Sequence, residues 1–201
     1  MFTLYSADFI GAPSNCSYPH RIEVMDAASF KEAVSSDYVC AEYMNNYRNG
    51  DNFLGSDCLP VDCDNDHSED PANWVTPDDV KQAFPGISFA VHYSRFHMRE
   101  KNGKPARPKF HVLFPIEYMT DATAYSEMKK LVNTIFPYFD TKALDSARFF
   151  FGTFNPEVEL YPGNMTLSEY LSIDDFNADM PGSFHGGTQV IPEGSRNATM
   201  S

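Results

Sequence analysis

Around residues 59–64, Leu-Pro-Val-Asp-Cys-Asp, the chain alternates between apolar and polar positions with the two-residue period of a strand. Leu59, Val61 and Cys63 then point one way, and Asp62 and Asp64 share the other face. Upstream, residues 1–25 read as a strand followed by a proline-containing loop. Asp26 is placed to cap a helix that starts at Ala27 and puts Phe30, Ala33 and Val34 on one face. A second helix is predicted over residues 37–47, stopped by Asn49-Gly50. Downstream, Thr76-Pro77-Asp78-Asp79 is a helix start, with a cap, a proline in the first turn and acids on the positive end of the dipole. Strands are predicted over residues 87–94 and 110–114, joined by a long basic loop with Asn102-Gly103 at its tip.

On the second of these strands His111 shares a face with Leu113, opposite Phe110, Val112 and Phe114. An amphipathic helix follows over residues 121–136, with Tyr125, Met128, Leu131, Val132 and Ile135 as its apolar stripe. Asp145 then stands at the mouth of an aromatic strand, Phe149-Phe-Phe151, with Arg148 three residues on. Beyond Thr153 the pattern is loop-rich, with one short helix near residues 167–171 and a linker over about 180–189. Strands and helices interleave, so the fold class expected is α+β (mixed α/β).

Composition changes this picture little. Forty-two per cent apolar and 14% aromatic residues are those of a folded domain. No run approaches a membrane span, and the N-terminus lacks the basic and apolar regions of a signal peptide, so a cytoplasmic protein is expected. Four cysteines without a C-x-x-C pair read as reduced thiols, and Cys58, Cys63 and His67 are not read as zinc ligands.

Charge changes it more. The net charge of −13 argues against nucleic acid, yet charges act only within about 8 Å at physiological salt. Six of the fifteen Lys and Arg residues fall between Arg95 and Lys109, opposed there by Glu100 alone. Two adjacent carboxylates repel unless a cation sits between them, and Mg²⁺ or Mn²⁺ suits carboxylate oxygens together with substrate phosphates.

The order of these pieces carries a resemblance. A hydrophobic D-x-D strand (Val61-Asp62-Cys63-Asp64), a strand histidine (Lys109-Phe110-His111) and a hydrophobic-Asp pair (Leu144-Asp145) resemble the three motifs of the archaeo-eukaryotic primase superfamily. The text around them is similar to the phage and plasmid primase-polymerase branch. The small residue that precedes the motif histidine by two positions is Lys109 here. The resemblance implies an RNA-recognition-motif-like catalytic sheet packed against an N-terminal α/β module. A catalytic domain over 1–180 is expected, its N-terminal module about 1–55 and its catalytic sheet about 56–175. Residues 181–201 would then be a linker and the opening of a helical primase C-terminal domain, which Ile191-Pro-Glu-Gly-Ser-Arg-Asn197 resembles.

It further implies template-directed nucleotidyl transfer by a two-metal mechanism in phage or plasmid replication. Asp62, Asp64 and Asp145 would hold two Mg²⁺ or Mn²⁺ ions, and His111 would contact the incoming nucleotide. Charge and position add Lys109, Arg107 and Arg148 as phosphate or template contacts. The implied partners are a single-stranded DNA template, a primer and nucleoside triphosphates, with a helicase possible in a longer protein. The rival readings are a metal-dependent nuclease, a rolling-circle-type initiator, or a non-catalytic nucleotide- or DNA-binding module. An initiator calls for two histidines alternating on one strand, and Leu113 occupies the position alternate to His111.

Overall fold

The structure is a computed structural model that describes residues 1–101 and 103–177. The linker expected over 180–189, the C-terminal stretch 181–201 and the Asn102 half of the loop tip lie outside the described residues. Nine strands form two antiparallel sheets among the described residues. The first has the order β2-β1-β3-β8, built from Phe2–Ser6 (β1), His20–Val24 (β2), Tyr38–Val39 (β3) and Phe149–Phe150 (β8). The second has the order β4-β5-β7-β6-β9. Its strands are Glu42–Tyr43 (β4), Phe53–Cys63 (β5), Phe89–Tyr93 (β6), Phe110–Met119 (β7) and Val158–Tyr161 (β9). The architecture is α+β, as the interleaved pattern predicts.

Alternation explains the layering. Leu59, Val61, Cys63, Phe110, Val112 and Phe114 bury one face of the second sheet against α2 (Pro77–Ala83), α3 (Ala122–Ile135) and α4 (Leu167–Asn177). The opposite residues, Cys58, Ala90 and Leu113, pack on Phe2, Leu4, Tyr38 and Phe150 of the first sheet and on Phe30 of α1 (Ala27–Ala33). The face carrying Asp62 is therefore covered by the first sheet, and Asp62 is only 8% exposed. Two prolines lie inside these strands without breaking a ladder. β4 pairs β5 only at Phe53 and Gly55, and β6 pairs β7 only up to Leu113, so Pro60 and Pro115 sit where one flank is unpaired.

The capping signals are realised. Asp26 accepts the Ser29 N–H, and Ser29 Oγ accepts the Asp26 N–H in return. Thr76 and Asp79 form the same reciprocal pair at α2, and Asp121 caps α3 through the Thr123 and Ala124 N–H groups.

Four expectations are corrected. Residues 37–47 are not a helix: they hold β3, β4 and a 3₁₀ turn at Met44–Asn46. Val39, Tyr38 and Cys40 are all buried, on more than one side, which no amphipathic helix with a solvent face allows. Residues after Thr153 include a strand, β9, whose exposed Glu159 and Leu160 conceal its pairing with β6. On α3, Leu131 is exposed and Lys129 is buried instead. The second sheet also departs from the RNA-recognition-motif order. The run β5-α2-β6-β7-α3 follows the βαββαβ pattern, but β9 joins beside β6 rather than beside β5.

The two sheets are not successive pieces of the chain, because β8 pairs with β3 across more than a hundred residues. Asp37 secures that junction. Its buried carboxylate accepts the N–H groups of Gly11, Ala12 and Gly152. A Cβ on Gly152 would overlap the Ser36 carbonyl group, which is backbone and cannot swing aside. Gly152→Ala is accordingly expected to lower stability by roughly 1–3 kcal/mol. A melting temperature equal to that of the wild type would show that the junction yields.

Candidate functional site at the seam between the sheets

Register alone brings the first three groups together. Asp62 on β5 lies directly opposite His111 on β7, and His111 lies directly opposite His92 on β6. Opposed residues share a face, so an acid and two imidazoles form a row across three strands. The row faces the first sheet, where Phe150 of β8 packs on the His111 ring at 4.6 Å and Tyr38 of β3 reaches between the two histidines.

Asp62 Oδ2 lies 3.7 Å from a terminal nitrogen of Arg148, and Oδ1 lies 3.7 Å from His111 Nε2. Both distances exceed a hydrogen bond, and Oδ1 is buried without a hydrogen-bond partner among the described residues. Burial, then the neighbouring Asp64 charge, lifts the Asp62 carboxyl from 3.8 to about 7, with Arg148 only partly offsetting them. Burial likewise holds His111 neutral, pushing it down to about 3, and drives His92 well below its usual value.

Asp64 stands just past the end of β5, half-buried, and Lys109 binds its Oδ1 at 2.9 Å and its carbonyl at 3.2 Å. Lys109 Nζ also lies 3.7 Å from Asp66. Lys109 is itself buried, so its ammonium is held by these acids, and a role toward phosphate would be shared with them.

Arg107 is placed differently from the expectation. It is fully buried, donating to the carbonyls of Asn65 and Ser68 and pairing with Glu69 at 2.9 Å, with Asp66 at 3.6 Å and the Trp74 ring alongside. Its guanidinium holds the loop after β5 rather than facing an open phosphate site. Asn65 completes the clamp. It adopts φ +53°, which asparagine tolerates, and its amide bonds both backbone groups of Val75 and the Pro108 carbonyl.

Asp145 is tied to its own turn and makes no hydrogen bond or ion pair with Asp62. It sits exposed on a turn, where its carboxylate accepts the Ala147 N–H at 2.9 Å. That turn is held from three sides, by Lys129 on the carbonyls of Ala143 and Asp145, Tyr43 on Ser146 and Arg48 on Ala147. The acid the fold does bring toward Asp62 is Asp140, whose N–H donates to the Asp62 carbonyl and whose charge acts on its carboxyl. Among the described residues no group of three His, Cys, Asp or Glu side chains stands ready around one ion.

Sequence reasoning missed His92, Tyr38, Asp140 and Lys129. His92 had a readable signal, since it falls on a predicted strand in phase with Ala90. Tyr38 had none, because it was assigned to a helix.

The donor set nevertheless fits a hard divalent cation. Each carboxylate keeps an oxygen free of its cationic neighbour, and Asp62 Oδ1 is buried with no partner. Such ions are commonly held by one or two carboxylates, with substrate phosphates and water filling the remaining positions. Two surface hollows, of about 620 Å³ beside Asp8 and His20 and about 420 Å³ beside Glu117 and Glu169, share no residue with this cluster.

No protein-family model matches the chain, and no curated protein matches it. Among solved structures, the chain is similar to the AEP domain of the cyanophage S-2L primase-polymerase. The two are 14% identical with a TM-score of 0.48, over 86% of this chain and 88% of that one.

No helix among the described residues is long and apolar enough to cross a membrane.

Proposed function

We propose that the chain carries out template-directed nucleotidyl transfer, as a DNA primase, a DNA polymerase or both. The observation that carries this reading is the unpartnered, buried Oδ1 of Asp62 beside Asp64, with neutral His111 directly across the ladder. A cluster of acids that leaves one carboxylate short of partners is unsuited to receive phosphates unless cations intervene. Asp62 and Asp64 would hold Mg²⁺ or Mn²⁺, with Asp145 as the outer carboxylate, and the ions would supply charge neutralisation at the attacking and leaving oxygens. The bond formed joins a 3′-oxygen to the α-phosphorus of the nucleotide, and the bond broken releases pyrophosphate.

The chain's own residues have separable tasks. His111, neutral and buried against Phe150, can donate one N–H to a phosphate oxygen without adding charge. Arg148, beside Asp62 and partly exposed, offers a guanidinium at the mouth of the site. Lys109 neutralises Asp64 and Asp66 and so limits repulsion of an incoming triphosphate. Template would follow the basic loop, where Arg95 lies exposed and stacks 3.8 Å over Phe151.

Tyr38 does not supply the nucleophile that a rolling-circle initiator needs. The tyrosine is fully buried between two imidazoles, and burial raises its hydroxyl well above 10, so it cannot serve as an accessible nucleophile. The test is incorporation of labelled nucleotides on a single-stranded template with Mn²⁺ or Mg²⁺, with and without a primer. Extension that disappears in Asp62→Ala is the expected result. Metal-dependent strand cleavage without extension would indicate the nuclease, and no reaction of either kind would leave a binding module.

A further inference from the structure

Tyr38 connects the two histidines of the seam. Its hydroxyl lies 3.0 Å from Nδ1 of His92 and 3.2 Å from Nδ1 of His111. At the far end, Thr153 Oγ1 lies 3.0 Å from His92 Nε2. At the near end, His111 Nε2 points toward Asp62 Oδ1. Tyr38, His92 and His111 are all buried, so no bulk water completes their hydrogen bonds. Four side chains thus form one line that ends at the candidate site.

A hydroxyl has a single proton, so it can donate to only one Nδ1, and that buried proton finds an acceptor in the line only if one Nδ1 is bare. Both imidazoles are neutral, and each carries one N–H. Full pairing of the hydroxyl with both rings therefore calls for opposite tautomers. Which is which follows from the ends of the line. If His111 carried its proton on Nδ1, its bare Nε2 would face the oxygen of the ionised Asp62, acceptor against acceptor. With the proton on Nε2, His111 presents a donor to that oxygen or to a bound phosphate. Tyr38 then donates to His111 Nδ1 and accepts from Nδ1–H of His92, whose bare Nε2 accepts from the Thr153 hydroxyl. Every polar atom in the line then has a complementary neighbour.

We propose that Tyr38 and His92 are positioning residues that fix His111 as the Nε2–H tautomer, aimed into the site as a neutral donor. The tautomer assignment stands on the geometry of the line with Asp62 ionised; only the phosphate as its recipient rests on the nucleotidyl-transfer reading. The arrangement also explains why a tyrosine and a second histidine occupy a seam that leucine or phenylalanine would fill more simply. A hydroxyl pinned between two ring nitrogens fixes both the rotation of the His111 ring and the position of its proton.

The test reads the ring nitrogens directly, by long-range ¹H–¹⁵N correlation on histidine-labelled, metal-free protein, on the alkaline side of the Asp62 titration. The expected spectrum has His111 protonated at Nε2 and His92 protonated at Nδ1, the form less favoured by free imidazole. Tyr38→Phe should release His92 to Nε2–H, donating to Thr153. Two histidines of the same tautomer in the wild type, or His111 bare at Nε2, would overturn the proposal without any variant being made. In the nucleotide assay Tyr38→Phe should raise KM by roughly tenfold with kcat within about twofold, as expected for lost binding rather than lost chemistry. Equal falls in kcat at unchanged KM would count against a positioning role. If the wild type transfers no nucleotide, the proposed activity fails while the spectrum still decides the tautomers.

Discussion

Asp62→Asn is expected to abolish nucleotide transfer and, in metal-free buffer, to make the protein more stable above neutral pH. The activity loss should be at least about a thousandfold, because removing one carboxylate charge weakens cation binding where charge builds in the transition state. The gain in stability follows from the buried carboxyl. Its native pKa of about 7 lies above the 3.8 of an ordinary aspartate. The folded state thus keeps a proton that the unfolded chain releases, and this group's stabilising share is complete below about pH 4. That share is lost as pH rises through about 7.

An asparagine has no proton to lose. The variant should gain on the wild type across that interval and level off above it, by at most about 4 kcal/mol at 1.36 kcal/mol per pKa unit. His92 and His111 titrate in the opposite sense, and their shared contribution cancels in the comparison to first order. Denaturation curves at several pH values check it. Parallel pH profiles for the two proteins would mean that Asp62 titrates as a solvated acid.

Arg107→Met should destabilise the protein by roughly 1–3 kcal/mol, the cost of leaving carbonyl oxygens without their donor, since the paired Glu69 is itself exposed. For a chain of this size that is a fall in melting temperature of roughly 5 °C. The variant leaves the carbonyls of Asn65 and Ser68 without their donor, and Glu69 without its pair. Loss of the loop between β5 and α2 should follow, seen as faster amide exchange at residues 65–75. Were Arg107 a phosphate contact, the melting temperature would hold. The slope of log affinity against log salt for single-stranded DNA would instead fall by about one.

These two residues show what the sequence could and could not convey. Period-two alternation placed Leu59, Val61 and Cys63 together on one apolar face and His111 in phase with Leu113, and the structure agrees on both. Caps at Asp26, Thr76 and Asp121 are local chemistry and were legible for that reason. Burial of the Asp62 face was not legible, because what covers it comes from β3 and β8, far away along the chain. Arg107 and Lys109 looked like members of one basic loop. Whether a cation there meets solvent or is buried against a loop depends on residues 64–69, which alternation does not describe. Asp145 matched a motif by order, and the structure sets it on a clamped turn whose approach to Asp62 is not part of the fold's register.

The pairing of β3 with β8 also bears on how the chain is made. Tyr38 and Val39 find Phe150 and Phe149 only after nearly the whole domain has been synthesised. Until then β3 is a buried-type strand with an open edge, and such edges invite pairing with other chains. Closing so long a loop is a small added entropic cost but a slow search. The Arg148 flank of the site arrives in that same late event. Nascent or C-terminally shortened chains ending before residue 148 would thus lack it, and would be most exposed to aggregation at the moment when they are least competent.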